Sequence, residues 1–131
     1  MKKILAVILA CLLFSGCTLV IDFGPSTATP PPASGEELTV HYLDVGQADC
    51  ILLECGGEYM LIDGGNQEDG QMVVSYLQQQ GIEALDVVVC THAHEDHVGG
   101  LPSVLAVFPT KRVLSPTRTY SSTVFDKFMY Y

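Results

Sequence analysis

Residues 85–100 read LDVVVCTHAHEDHVGG, an apolar run that opens into three histidines, Glu95, Asp96 and a pair of glycines. The continuous apolar run suits a strand buried on both faces. His92 and His94 are two residues apart, so an extended chain projects both imidazoles the same way, toward one ion. A catalytic zinc normally takes three protein ligands and a water. Asp96 and His97 follow at once and, after a bend, face a second ion beside the first. Two ions about 4 Å apart stabilise both oxygens of a displacement. Gly99 and Gly100 are expected to let the backbone turn tightly into the next helix. The cluster falls at the carboxyl end of its strand, where open α/β sheets place their sites. A polar loop that happens to carry histidines is the plainer alternative, and a lone H-x-H would deserve it. Four fixed residues at this spacing are expected in only about one unrelated chain in ten thousand. The metal site is therefore the expectation.

Working outward, ELTVHYLDVG alternates from Leu38 to Val45 and predicts a strand. ADCILLEC and EYMLIDGG predict two more, joined as a hairpin across Gly56-Gly57. In the next stretch Val73, Val74 and Leu77 share a helical face, with Asp69 placed to cap the start and Gly81 the end. Beyond the cluster, LPSVLAVFP suits a short helix with Pro102 in its first turn and Pro109 at its end. KRVLSP reads as a strand and SSTVFDKFMYY as a helix whose sequence stops part-way. The order ββ β α β α β α is that of an α/β domain with a partly antiparallel start.

His92, His94, Asp96 and His97 after a buried strand form the H-x-H-x-D-H pattern, and the chain here resembles the metallo-β-lactamase superfamily. LIDGG, Leu61 to Gly65, is similar to that family's earlier motif of an aspartate at a strand end. The resemblance implies that Asp63 orders the metal loop without being a ligand; taken alone, Asp63 reads as a solvated turn residue. YLDVGQADCILLE further resembles the opening of the extracellular domain of the ComEC/Rec2 competence proteins, with Ala48 where glycine is usual. The likeness runs from Leu38 to about Tyr131, and places the turn between Asp44 and Asp49 beside the metal pocket. It implies the N-terminal half of an αβ/βα sandwich and a hydrolase acting on phosphodiesters, nucleic acid or a smaller ester. It also implies two zinc ions, manganese or iron being alternatives. His92 and His94 would hold the first ion; Asp96, also catalytic, and His97 would hold the second. Other esters and lactams are cleaved on the same scaffold, so the fold does not settle the chemistry.

The N-terminus, residues 1–17, reads as an export signal: Lys2 and Lys3, an apolar core from Ile4 to Phe14, then small residues. Ser15-Gly16-Cys17 resembles a bacterial lipoprotein signal with Cys17 as the lipidated residue, although Phe14 departs from the pattern. An uncleaved anchor extended through Thr18–Ile21, about 18 residues, is the alternative. Either way the body is expected outside, tethered to the outer face of the cytoplasmic membrane. Residues 18–37 form a linker, rich in Pro, Ser and Thr from Gly24, and residues 38–131 form the domain. The formal net charge is −9, and loss of Lys2 and Lys3 with the leader makes it two units more negative. Such a surface argues against gripping nucleic acid by bulk charge, unless bound dications reverse the sign locally. Cys50 and Cys55 are separated by a strand's length, too far for a disulfide, and Cys50 and Cys90 read as buried thiols.

The family's later ligands, a histidine, a bridging aspartate and a final histidine, have no counterpart in this sequence. No histidine follows His97, Asp126 is the only later acid, and His41 reads as a half-exposed sheet residue. The sheet is expected to be unfinished, with an apolar face and an open edge exposed. That suggests a fragment, or half of a fold that a partner chain completes. Against the hydrolase stands a catalytically incomplete tethered module, a binding or degenerate domain; a small metal-carrying surface protein is a third possibility.

Overall fold

The computed structural model describes residues 37–131. The export signal, the Cys17 lipidation site and the linker up to residue 36 lie outside the described residues. Among the described residues no helix is long and apolar enough to cross a membrane.

Five strands form one sheet in sequence order: β1 (Leu38–Tyr42), β2 (Ile51–Cys55), β3 (Glu58–Ile62), β4 (Leu85–Val89) and β5 (Thr110–Leu114). The first three run antiparallel; β4 pairs parallel with β3, and β5 parallel with β4. Gly56 and Gly57 both have positive φ, 58° and 81°, so the β2–β3 hairpin closes with a two-residue turn whose twist matches its strands. The helices are α1 (Gly70–Gln79), a single turn α2 (Glu95–Val98), α3 (Leu101–Val107) and α4 (Thr123–Tyr130).

Two of the expected boundaries move. β1 stops at Tyr42 rather than Val45, because Gly46 turns left-handed (φ 65°) and Val45 folds inward as a buried core residue. Asp69 precedes α1 but does not cap it through its side chain; the carboxylate instead accepts from the backbone N–H and side-chain amide of Asn66, at 2.8 and 2.9 Å. It thereby closes a one-turn 3-10 helix, Gln67–Asp69, ahead of α1. Gly81 does end α1 (φ 75°): its N–H donates to Gln78 O and that of Ile82 to Leu77 O. Ile82 and Leu77 are both buried, the apolar contact that accompanies this kind of stop.

Leu52, Leu61 and Val88 are register neighbours across β2, β3 and β4, so they share one face of the sheet. All three are fully buried, in one core with Val73 and Leu77 of α1, Leu101 and Val104 of α3, and Phe125 and Phe128 of α4. The opposite face carries the row Val40–Leu53–Met60–Val87–Arg112 and beside it Tyr42–Ile51–Ile62–Val89–Leu114. Only Val87 of these ten is buried; Tyr42 is 79% and Leu114 53% exposed. The half-sandwich and its uncovered apolar face are as expected from the sequence. His41 lies at the sheet edge, half-buried, its Nδ1 2.8 Å from the Tyr76 hydroxyl of α1.

Candidate metal centre

Asp63 follows β3 and is the one non-glycine residue with positive φ (58°) among the described residues. A left-handed backbone costs an ordinary residue about 1–2 kcal/mol, less for Asp. The turn is held because Asp63 N–H still donates to Val89 O at 2.8 Å, extending the β3–β4 pairing by one residue. It sends the carboxylate, 1% exposed, beneath the histidine loop. One oxygen accepts the Thr91 N–H at 2.8 Å; the other accepts the Thr91 hydroxyl at 2.5 Å and His97 Nδ1 at 2.9 Å. An ionised carboxylate only accepts, so Nδ1 of His97 must carry a proton. In the neutral ring Nε2 is then the nitrogen with the free lone pair. It lies 3.8 Å from the Asp96 carboxylate.

His92, Asp96 and His97 each offer one ligand atom, all within 4.8 Å of one another. The His92 and His97 rings are 3.7 Å apart between centroids. His94 caps the start of α2 beside this group, its ring 4.8 Å from that of His92 and 5.9 Å from Tyr120. Three of the four expected ligands are thus brought together, His92 meeting Asp96 and His97 across the bend rather than pairing with His94, which lies beside the group and outside it. Two imidazoles and a carboxylate, one imidazole fixed by a buried acid, suit a zinc-class ion. His92, Asp96 and His97 would hold it, with His94 at hand.

Three backbone segments are clipped together around the loop. Gly64 N–H donates to His97 O at 2.8 Å, Gly100 N–H to Gly65 O at 3.2 Å, and Asp49 N–H to Asp96 O at 3.3 Å. Gly65 N–H returns to Asp49 O at 2.9 Å, and Glu95 accepts the Gln67 N–H at 2.6 Å. This contact explains the glycine pair differently from the sequence. Gly99 and Gly100 have ordinary helical dihedrals (φ −55° and −82°), so they are not needed for a tight turn. They are needed for closeness: a Cβ on Gly99 would lie 2.4 Å from Gln67 N, and one on Gly100 2.0 Å from Gly64 O.

Thr91 was not singled out by sequence reasoning, and Asp49 was placed beside the metal pocket only through the resemblance. Asp49 closes the LDVGQAD stretch; its carboxylate is largely exposed and 3.6 Å from His97 Nδ1. Thr91 stands immediately before the motif, and position was its only signal. Cys50 and Cys90 are buried, and Cys55 partly so; all three are free thiols. Burial, reinforced by the Asp63 charge, pushes Cys50 up to about 12 and Cys90 to about 11. Both stay protonated and are poor ligands beside the histidines.

With this geometry in place, likeness to known proteins decides the family. The sequence profile of the Metallo-beta-lactamase superfamily matches residues 43–131. The chain belongs to that superfamily. Its fold is the mixed α/β fold of the superfamily, whose members are metal-dependent hydrolases that typically bind zinc. Recombination protein 2 of Haemophilus influenzae is 33% identical over 84 residues, 60% of this chain and 10% of that protein. Hydroxyacylglutathione hydrolase of Stenotrophomonas maltophilia is 32% identical over 77 residues, covering 59% of this chain and 28% of the enzyme. The crystal structure of the metallo-β-lactamase SMB-1 with mercaptoacetic acid matches with a TM-score of 0.51 at 22% identity. That match covers 63% of this chain and 38% of SMB-1, and it speaks for the fold alone. The chain spans less than a third of the length of either curated relative.

Proposed function

We propose that residues 38–131 carry the first ligand set of a metal-dependent phosphodiesterase of the ComEC/Rec2 kind, tethered at the outer face of the cell membrane by its N-terminus. The observation that carries the hydrolase is the buried Asp63 carboxylate on His97 Nδ1, which frees Nε2 beside His92 and Asp96. The choice of branch is supported by LDVGQAD, Leu43 to Asp49, and by the likeness to Recombination protein 2. In this reading the four residues would share two ions, zinc by preference, with His92, Asp96 and His97 already drawn together and His94 beside His92. Held by these residues, the ions would supply Lewis acidity toward a phosphoryl oxygen and a nucleophile at neutral pH. Asp63 and Thr91 fix the ring of His97, and buried Ala93 and Val98 exclude water behind the ligands. Ligands beyond these four come, in this reading, from polypeptide packed on the uncovered sheet face.

A second reading is an incomplete metal module without activity. It is favoured by His92, Asp96 and His97, the group drawn from the expected ligands, all coming from one loop. Zinc content and turnover of the native protein, purified in detergent with the polypeptide that covers the sheet face, separate the two. The proposal expects at least one tightly held zinc per chain and cleavage of bis(p-nitrophenyl) phosphate in preference to S-lactoylglutathione. Less than one weakly held ion and no turnover of either would leave only the module. Faster cleavage of the thioester would overturn the phosphodiester assignment.

A further inference from the structure

The loop between β5 and α4 brings one aromatic ring to the metal loop. Tyr120 is 43% exposed, yet its ring is held on two sides. His94 lies 5.9 Å away at an interplanar angle of 56°, and Phe125, 1% exposed, lies 6.0 Å away at 74°. Both are within the range of aromatic contacts. The backbone beneath the ring is also fixed, because Ser122 N–H donates to Tyr120 O at 2.9 Å and the Ser122 hydroxyl starts α4. The exposed part of the ring therefore stands at a set place, one contact from His94 and two from His92.

Charge narrows what such a ring can serve. After the leader the chain has only Lys111, Arg112, Arg118 and Lys127 as basic residues, against fifteen acids. Lys111 is paired with Asp86 near the start of β4, the end of that strand away from the site. Arg118 is exposed on the same loop as Tyr120, but one cation among so many acids draws a phosphate ester weakly, so uncharged contacts must supply most of the affinity beyond the ion. A flat π-system joined to the ester is the group that an exposed, braced tyrosine binds best, and stacking tolerates any base.

We infer that Tyr120, backed by Phe125 and His94, is a stacking platform for the nucleobase next to the phosphate at the metal loop. This inference rests on the phosphodiester reading and deepens it. A ring that only fills the gap between loop and helix would be indifferent to the base.

The test is binding rather than turnover. The zinc-loaded full chain is titrated with the methyl ester of thymidine 5′-monophosphate and with dimethyl phosphate, both monoanionic diesters, by calorimetry, as wild type, Tyr120→Phe and Tyr120→Ala. Zinc content and far-ultraviolet circular dichroism check each variant. The nucleotide should bind at least tenfold more tightly than dimethyl phosphate to the wild type and to Y120F. Y120A should weaken nucleotide binding by about 5- to 150-fold and leave dimethyl phosphate unchanged. Wild-type NMR gives a second readout that does not depend on Y120A folding: upfield-shifted thymine protons with cross-relaxation to the Tyr120 ring. Equal affinity for the two ligands, or nucleotide binding without that ring-current shift, would overturn the platform and leave the phosphodiester reading standing. Binding of neither ligand would sink both.

Discussion

Replacing Asp63 by Asn tests whether this residue acts by holding a tautomer. Asn tolerates the left-handed backbone nearly as well as Asp and has the same shape. One amide oxygen can still accept the Thr91 N–H, but the amide NH2 now faces His97 Nδ1, 2.9 Å away in the native structure. Two donors cannot share that contact, so the imidazole proton is driven to Nε2, the nitrogen offered to the metal. Loss of such an outer partner costs 10- to 100-fold in metal affinity, equivalent to about 1.4–2.8 kcal/mol. The zinc-free chain should lose about 2–3 kcal/mol of stability from the missing charged hydrogen bonds. The assay is competition for zinc against a chromophoric chelator, with thermal unfolding of the zinc-free protein measured alongside. Asp63→Gly is the control: it removes backbone strain and all the carboxylate bonds, so its affinity should fall at least as far. A folded D63N chain with zinc affinity within twofold of wild type would refute the tautomer argument. Recovery of affinity in D63G alone would mean that backbone strain, not the proton, was the issue.

Gly100→Ala puts a methyl 2.0 Å from Gly64 O, backbone against backbone, and should cost about 3 kcal/mol, seen as a drop of about 15 °C in the thermal midpoint; an unchanged midpoint would mean that the loops do not touch. Lys111 and the Tyr59 N–H hold the Asp86 carboxyl below its ordinary value of 3.8, so its contribution is present above that value and lost as pH falls through the lower folded one. Asp86→Asn should therefore flatten the acid limb of a plot of thermal midpoint against pH, and a limb identical to wild type would show that the pair is inert. Cys50, pushed up to about 12 by burial, should resist iodoacetamide at pH 8 in the folded chain while the half-buried Cys55 is alkylated first; equal rates on the peptide map would contradict the burial.

What could be read from the sequence was what depends on neighbouring residues. The strand before the cluster, the Gly56-Gly57 hairpin, the Gly81 stop and the H-x-H-x-D-H loop all announce themselves within a few positions. Asp63 could be named only through the motif it resembles, because its partners Thr91 and His97 are 28 and 34 residues away. Gly99 and Gly100 misled for the same reason: glycine first suggests backbone freedom, whereas here the constraint is another loop against the missing side chain. Asp69 was placed as a helix cap because its rank before α1 is right, but Asn66 three residues earlier competes for the carboxylate and wins. Tyr120 had no local signal. It gains a role only when β5 and α4 carry its loop back over His94.

The same long-range clasp raises the question of whether the metal loop is formed before any ion arrives. Apart from the Glu95 carboxylate on the Gln67 N–H, its clips are backbone bonds between segments far apart in sequence, and none uses an expected metal ligand's side chain. The sheet and the clasp are also continuous, since Asp63 N–H extends the β3–β4 pairing and Gly64 N–H reaches His97 O one residue later. Hydrogen exchange should then find the amides of Asp49, Gly64, Gly65 and Gly100 protected in zinc-free protein, nearly as well as Leu52 and Leu61 in the sheet. Zinc at about 100 times its dissociation constant should add about 2.7 kcal/mol to amides that open only by global unfolding. Those four amides exchanging at unfolded rates without zinc, while the sheet stays protected, would mean that the ion builds the loop. His97 would then have no fixed tautomer to offer beforehand, and Asp63 would stabilise the loaded site rather than prepare it.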